Sequence, residues 1–307
     1  GILEGYDLKA MGHNTVEYLH TWIEASKLAF ADREAYYGDP DFDYVPLETL
    51  LSKEYANERR KLIGSNASMD LLPGKLGTSL NSKISFDVLG EHRRVLGLSS
   101  RGQIGSESGN PHHGDTTHLD AVDSQGNMIA STPSGGWIGT SPVIKGLGFP
   151  LGTRGQMFYL NPGRPNSLQP RKRPRATLTP SLVTRQGAPF MVFGTPGGDT
   201  QEQTTLQFFL NYVEYGMDIQ ESLDAPTLYS EHTPSSFFPR NAHPGKVVAE
   251  SRISPDVLES LKSMGHKVQL TGAWSNGKVM GIRYDKNNGV IMGGASAKGN
   301  SAYAIGW

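Results

Sequence analysis

The residues with the clearest chemical potential lie in segment 114–123, where two adjacent threonines follow an aspartate. A threonine hydroxyl is a weak nucleophile by itself, but an N-terminal threonine carries its own general base, the α-amino group. The ordinary pKa of that amine is about 7.7–8.0, so much of it is neutral near physiological pH. Cleavage between Asp115 and Thr116 would therefore create a catalytic threonine. The alternative is that Thr116 and Thr117 open an ordinary β-strand.

A second candidate is segment 193–200, which reads Phe-Gly-Thr-Pro-Gly-Gly-Asp-Thr. Gly197 and Gly198 fall between a predicted strand and a predicted helix, where backbone N–H groups can face a ligand. Such donors suit an oxyanion or a carboxylate. The alternatives are a tight strand-to-helix turn and a phosphate loop, and no Gly-Lys-Ser/Thr follows to support the latter.

Two polar clusters attract other interpretations. Residues 171–175 hold four basic side chains, but the interleaved prolines favour a stiff surface loop, and nucleic-acid binding lacks a wider basic surface. The second cluster comprises His112, His113, Asp115 and His118. Its spacing matches neither His-Glu-x-x-His nor a zinc finger, so we interpret it as a solvated linker and expect no metal and no cofactor.

Composition narrows the class of protein. The 307 residues carry a formal net charge of −1, so no global field recruits nucleic acid. The absence of cysteine excludes disulfides and thiol catalysis. No apolar run approaches the about 18 residues that a membrane span needs. The chain opens at Gly1 with no leader pattern, and its start leaves the compartment undetermined.

Helical periodicity and turn signals predict stacked α and β layers. In the first helix, Asn14 and Glu17 have the spacing of a capping box. From about residue 64 to 115 the periodicity fades into Gly, Ser, Asn and His, which is typical of an accessible cleavage tract. Helices are predicted over 14–36, 48–63, 200–215 and 254–265, and strands over 117–122, 128–132, 180–184, 189–193, 267–270, 279–284 and 290–292.

Taken together, these segments resemble the γ-glutamyltranspeptidase family of N-terminal-nucleophile hydrolases. The matching segments are collinear along nearly the whole chain, at residues 31–33, 37–42, 116–118, 123–127, 156–157, 172–174, 195–198, 218–221 and 225–226. The resemblance implies a four-layer αββα sandwich cut between Asp115 and Thr116. Residues 1–115 would end the large-subunit-like segment and residues 116–307 would form the small-subunit-like catalytic segment of one domain. The resemblance further implies that this sequence starts after the family's N-terminal portion, which includes a carboxylate-binding arginine, so we expect either a fragment or a fold that other chain material completes.

The resemblance also implies roles for individual residues. Thr116 would be nucleophile and, through its amine, general base. Ser134 would hydrogen-bond the nucleophile, and Gly197 and Gly198 would supply oxyanion-hole N–H groups. Gln156 and Thr177 would lie in the wall that binds the acyl group.

Three positions of that wall depart from the family pattern. Gly136 replaces a glutamyl-binding asparagine, Tyr159 replaces the aspartate that grips the α-amino group, and Ala176 replaces one serine of a pair. A charged partner for an ammonium contributes about 1.5–3 kcal/mol where it exists. The departures therefore favour an altered acyl preference, as in an amidase or acylase.

The sequence thus predicts an autoprocessed amidohydrolase or acyltransferase that cleaves a γ-glutamyl or related acyl amide through an acyl-enzyme on Thr116. Its expected partners are a small-molecule amide, a water or amine acceptor, and either the absent N-terminal portion or a second copy of the chain. The alternative is a non-catalytic, unprocessed fragment or binding remnant of that family.

Overall fold

A computed structural model describes residues 1–76, 84–88, 90, 116–137, 139, 141–298 and 302–306. Most of the predicted cleavage tract, Asp115 included, lies outside these residues. No helix in the described ranges combines the length and apolar character that crossing a membrane requires.

The α-helices whose bounds the structure describes come from the first sixty residues and from the part after residue 200. Their bounds are α1 (Leu8–Met11), α2 (Val16–Tyr36), α3 (Leu47–Leu50), α4 (Lys53–Arg60), α5 (Gln201–Val213), α6 (Ile219–Asp224) and α7 (Pro255–Ser263). Short 3-10 helices span Leu3–Gly5, Arg154–Met157 and Gly198–Thr200.

Two predicted helix boundaries are wrong. The N-cap of α2 is Thr15, whose hydroxyl accepts from the Tyr18 amide at 3.3 Å. Asn14 instead has a positive φ of 53° and donates its amide to the Pro226 carbonyl. The predicted helix over 48–63 is divided into α3 and α4, because Ser52 adopts an extended conformation and starts a new helix.

Within the described ranges the strands form three sheets. A hairpin pairs β1 (Leu119–Val122) with β2 (Met128–Ser131). An antiparallel sheet has the order β3 (Ser181–Arg185), β4 (Ala188–Gly194), β8 (Met280–Asp285) and β9 (Val290–Ala295). A third sheet pairs β5 (Leu228–Ser230) with β6 (Lys246–Glu250), and β6 in parallel with β7 (Lys267–Thr271).

The four-stranded sheet lies between the hairpin and helices α5 and α6. Successive residues of a strand face opposite sides of the sheet. The last two residues of β4 show this alternation. Phe193 packs against Phe208 of α5, with ring centroids 5.3 Å apart. Gly194 faces the hairpin, where the His118 ring fills the space above it. The predicted class of stacked helical and sheet layers is confirmed.

A second hydrophobic core packs helix α2 against strands and a helix of the C-terminal half. Trp22 and Ile23 of α2 are fully buried against Leu228 of β5, Val247 of β6 and Leu261 of α7. This core holds α2, and with it the residues that approach the glycine loop, against the C-terminal half.

Candidate functional site

Thr116 and Ser134 meet at the open end of the β1–β2 hairpin. Backbone pairing continues beyond the strands, since the Thr117 amide donates to the Pro133 carbonyl at 3.1 Å. This register sets residue 116 opposite residue 134. The Thr116 Oγ1 and Ser134 Oγ atoms are 2.6 Å apart, a hydroxyl–hydroxyl hydrogen bond. The structure therefore brings the predicted nucleophile together with its predicted hydroxyl partner.

A buried histidine, His118, lies two residues after Thr116 on the same arm of the hairpin. His118 Nδ1 is 2.7 Å from Thr132 Oγ1, and His118 Nε2 is 3.0 Å from Asp120 Oδ1. Burial raises the pKa of the Asp120 carboxyl, although the bond and charge of His118 oppose that shift. The His118–Thr132 contact cross-links the two arms of the hairpin, and the Asp120 contact fixes the other ring nitrogen.

The interpretation of His118 as part of a solvated linker is wrong, because this residue is only 5% exposed. Residues that alternate along a strand share a face, and the spacing of His118 and Asp120 was the signal that could have revealed the pair. His112, His113 and Asp115 lie outside the described residues.

The loop after β4 contains the glycine pair. Gly197 has φ 143° and Gly198 has φ 57°, conformations that L side chains rarely adopt. The Gly197 carbonyl accepts from the Thr200 amide at 3.1 Å and from its hydroxyl at 2.9 Å. This turn leads through a 3-10 helix into α5, so the loop lies at a helix N-terminus, where backbone N–H groups favour an anion.

An ion pair between Asp199 and Arg33 anchors this loop to α2. Asp199 Oδ1 is 2.8 Å from Arg33 Nη1 of α2, and both carboxylate oxygens accept from Ser236, its amide at 2.7 Å and its hydroxyl at 2.6 Å. Burial acts to raise the pKa of Asp199, but Arg33 and Ser236 together bring it below its ordinary value. The sequence reasoning missed this anchor, since its three members lie far apart along the chain.

The residues predicted for the acyl-binding wall have different environments. Gln156 and Ala176 are exposed, and Gly136 is half-buried with φ 96°. Thr177 is 1% exposed, and its hydroxyl has no hydrogen-bond partner within the described part of the chain. The first three are open to a ligand, whereas Thr177 and the fifth residue, Tyr159, are enclosed.

Tyr159 lies inside an ion network and is 1% exposed. Its hydroxyl donates to Glu34, whose carboxylate pairs with Arg175 Nη2 at 2.7 Å. The Arg240 guanidinium covers the ring, with Cζ 4.2 Å from the centroid. Burial and then the Glu34 charge raise the pKa of Tyr159 to about 12, so the hydroxyl stays a donor. This position offers no negative charge to a substrate ammonium.

His20, Glu24 and His266 form a group of potential metal ligands away from the threonine. His20 Nε2 is 2.8 Å from the Gly64 carbonyl, which can only accept, so we assign that nitrogen the proton. His20 Nδ1 then accepts from His266 Nε2 at 2.9 Å. The Lys27 ammonium pairs with the Glu24 carboxylate, with 2.6 Å between Nζ and Oε1. These internal bonds give the cluster a structural role, because it already contains a cation.

A known protein family matches this chain along nearly its whole length. The model of the gamma-glutamyltranspeptidase family matches residues 1–306. The chain is 32% identical over 278 residues to a "Glutathione hydrolase proenzyme" of Pseudomonas sp. (strain A14), which covers 87% of this chain and 41% of that protein.

Two solved structures share the fold. One, named LmbA2991HD, has a TM-score of 0.81 and 43% identity, covering 96% of this chain and 49% of that chain. The cephalosporin acylase from Bacillus halodurans has a TM-score of 0.72 and 29% identity, covering 97% of this chain and 46% of that one. The chain therefore spans about half the length of these relatives. Family model, sequence identity and fold agree, and they place this chain in the gamma-glutamyltranspeptidase family.

Proposed function

We propose that this protein is an N-terminal-threonine amidohydrolase or acyltransferase that cuts itself between Asp115 and Thr116. The observation that carries the proposal is the 2.6 Å contact between Thr116 Oγ1 and Ser134 Oγ at the hairpin end. In the uncut chain the Thr116 nitrogen belongs to a peptide bond and is not basic. Hydrolysis of the peptide bond converts it into an amine, so the base arises beside the hydroxyl that is already present.

The remaining residues supply the rest of an acyl-transfer cycle. The Thr116 amine takes the proton of Oγ1, which attacks the carbonyl carbon of the substrate amide. The N–H groups of Gly197 and Gly198 stabilise the oxyanion of the tetrahedral intermediate. Its collapse breaks the C–N bond, the leaving amine takes up the proton, and an ester remains on Thr116. Water or an acceptor amine then attacks this ester and restores the hydroxyl.

Under this proposal residues 1–115 and 116–307 are two segments of one αββα domain. The substrate is a γ-glutamyl or related acyl amide, because the relatives include glutathione hydrolases and a cephalosporin acylase. The exposure of Gln156 and Ala176 and the half-buried position of Gly136 support our proposal that these residues contact the acyl group.

Mass spectrometry of the complete natural chain after incubation tests this function. We expect a new N-terminus at Thr116 in the parent and in Thr116→Ser, and an uncut chain in Thr116→Ala. Thr117→Ala is the matched control, because its hydroxyl is not the nucleophile, and it should still be cut. An uncut parent, or equal cleavage in parent and Thr116→Ala, would refute the mechanism and favour a non-catalytic remnant of the family.

A further inference from the structure

Arg154 is a half-buried arginine without an acidic partner in the described part of the chain. Its Nε is buried and makes no hydrogen bond there, and Nη1 reaches only the Met157 sulfur at 3.9 Å. By contrast, the buried Arg175 and Arg33 each pair with a carboxylate, of Glu34 and Asp199, and the buried Arg240 donates to the carbonyls of Gln156 and Phe158. Burying an N–H group without an acceptor is unfavourable, so the free Nε of Arg154 favours binding of an anion that the described residues do not supply.

The position of Arg154 links both halves of the proposed catalytic centre. A Cβ placed on Gly135 would lie 3.2 Å from Arg154 Nε, and Gly135 directly follows Ser134. On its other side, Arg154 Cζ is 5.9 Å from the centroid of the Phe237 ring. That ring lies 3.0 Å from the Cβ position of Gly198. The guanidinium therefore lies between the hydroxyl pair and the glycine loop.

The surrounding residues indicate which anion fits. A planar guanidinium binds a carboxylate through two parallel hydrogen bonds. The family's acid for an α-ammonium is replaced by Tyr159, and the nearby Glu34 is already engaged by Arg175 and by the Tyr159 hydroxyl. Among the described residues named here, the wall thus offers a cation for a carboxylate but no free acid for an ammonium.

We propose that Arg154 binds a carboxylate at the far end of the acyl group, so that the preferred substrates are monoamides of a dicarboxylic acid without an α-ammonium. This inference rests on the proposed function and names its substrate class. The Phe237 ring and the methylene stem of Arg154 would flank the acyl chain, and the scissile carbonyl would lie between Thr116 and the glycine loop.

Binding and turnover together test this role in the processed complete protein. The binding probes are glutaramate, which carries the carboxylate, and valeramide, in which a methyl group replaces it. For Arg154→Met we expect glutaramate affinity to fall about 10- to 100-fold, the usual effect of losing a charge-assisted contact. Valeramide affinity should change less than about threefold. Arg154→Lys, which keeps the charge but not the fork, should lie between Arg154→Met and the parent.

The matching turnover probes are glutaryl and valeryl p-nitroanilide, with Arg185→Met as the control because Arg185 is exposed on the remote β3–β4 hairpin. The loss in kcat/KM should fall on the glutaryl substrate and mainly in KM. Equal losses on both probes, or unchanged glutaramate binding in Arg154→Met, would overturn the inference. A parent that is cut at Thr116 but turns over neither anilide would overturn this substrate class and leave the proposed function standing, whereas a parent that stays uncut would refute the proposed function itself.

Discussion

At the scale of single residues, Glu202 at the start of α5 combines burial with mixed charges. Its Oε1 is 3.4 Å from Arg33 Nη1, and its Oε2 has no hydrogen-bond partner among the described residues. Burial, opposed by Arg33 and reinforced by Asp199, raises the pKa of Glu202 from its ordinary 4.5 to about 7. The folded state therefore binds this proton more tightly than the unfolded chain does.

The sign of the resulting pH dependence follows from linkage. Because the folded pKa is raised, the contribution of Glu202 to folding is complete below about pH 4.5 and is lost as the pH rises through about 7. Glu202→Gln removes this titration, so its melting temperature relative to the parent should increase from pH 5 to pH 8. The ceiling is about 3 kcal/mol, and the 30% exposure of the side chain lowers it.

Thermal unfolding followed by circular dichroism at several pH values measures that difference. The matched control is Glu259→Gln on α7, whose side chain is 70% exposed and pairs with Lys262. Its profile gives the background for an exposed Glu→Gln change, against which the Glu202→Gln profile is compared. A flat Glu202→Gln profile would show that this carboxyl ionises alike in folded and unfolded chains.

At the scale of elements, the hairpin that carries Thr116 approaches β4 closely at Gly194. A Cβ on Gly194 would lie 2.2 Å from the His118 ring, and this ring is fixed by Thr132 and Asp120. Gly194→Ala must therefore separate the hairpin from the sheet. We expect a loss of about 3 kcal/mol or more in the free energy of unfolding, together with slower cleavage at Thr116.

Urea denaturation and the time course of cleavage give the two readouts for this glycine. Gly272→Ala is the control, since Gly272 is exposed and a Cβ there meets nothing within 4 Å. If Gly194→Ala matched this control in stability, the hairpin would not need its close contact with β4.

Whether the sequence predicts an element correctly depends on how that element is buried in the fold. The hairpin and α5 carry local signals, namely alternation around a turn and a glycine pair before a helical period, and both lie within a few residues of prediction. Strand β6 (Lys246–Glu250) was missed because it is central in its sheet, where four of its five residues are buried and alternation disappears.

The candidate site likewise contains some residues that local sequence signals reveal and others that they do not. Thr116, Ser134 and the glycine pair were found from local pattern and family resemblance. The contacts Arg33–Asp199 and Glu34–Arg175 could not be, since each joins α2 to residues more than 140 positions away. Only the folded core around Trp22 brings these residues together, and no local pattern encodes such pairs.

At the scale of the whole molecule, the proposed cut falls between segments that share a core. Helix α2 belongs to the segment before Thr116, yet Trp22 and Ile23 are 0% exposed against strands and a helix that follow it. The buried Glu34–Arg175 pair also crosses the division. Separating the two pieces would expose this core and leave buried charges unpaired, which is strongly unfavourable.

We therefore expect the processed protein to remain one particle. Size-exclusion chromatography and native mass spectrometry should show both pieces together, while denaturing electrophoresis separates them. Trp22→Ala should remove about 3–5 kcal/mol of stability and lower the urea concentration at which the pieces dissociate. Ala29→Ser, at an exposed position of the same helix, should leave that concentration unchanged. Pieces that separate without denaturant would mean that other contacts, not the α2 core, hold Thr116 in place.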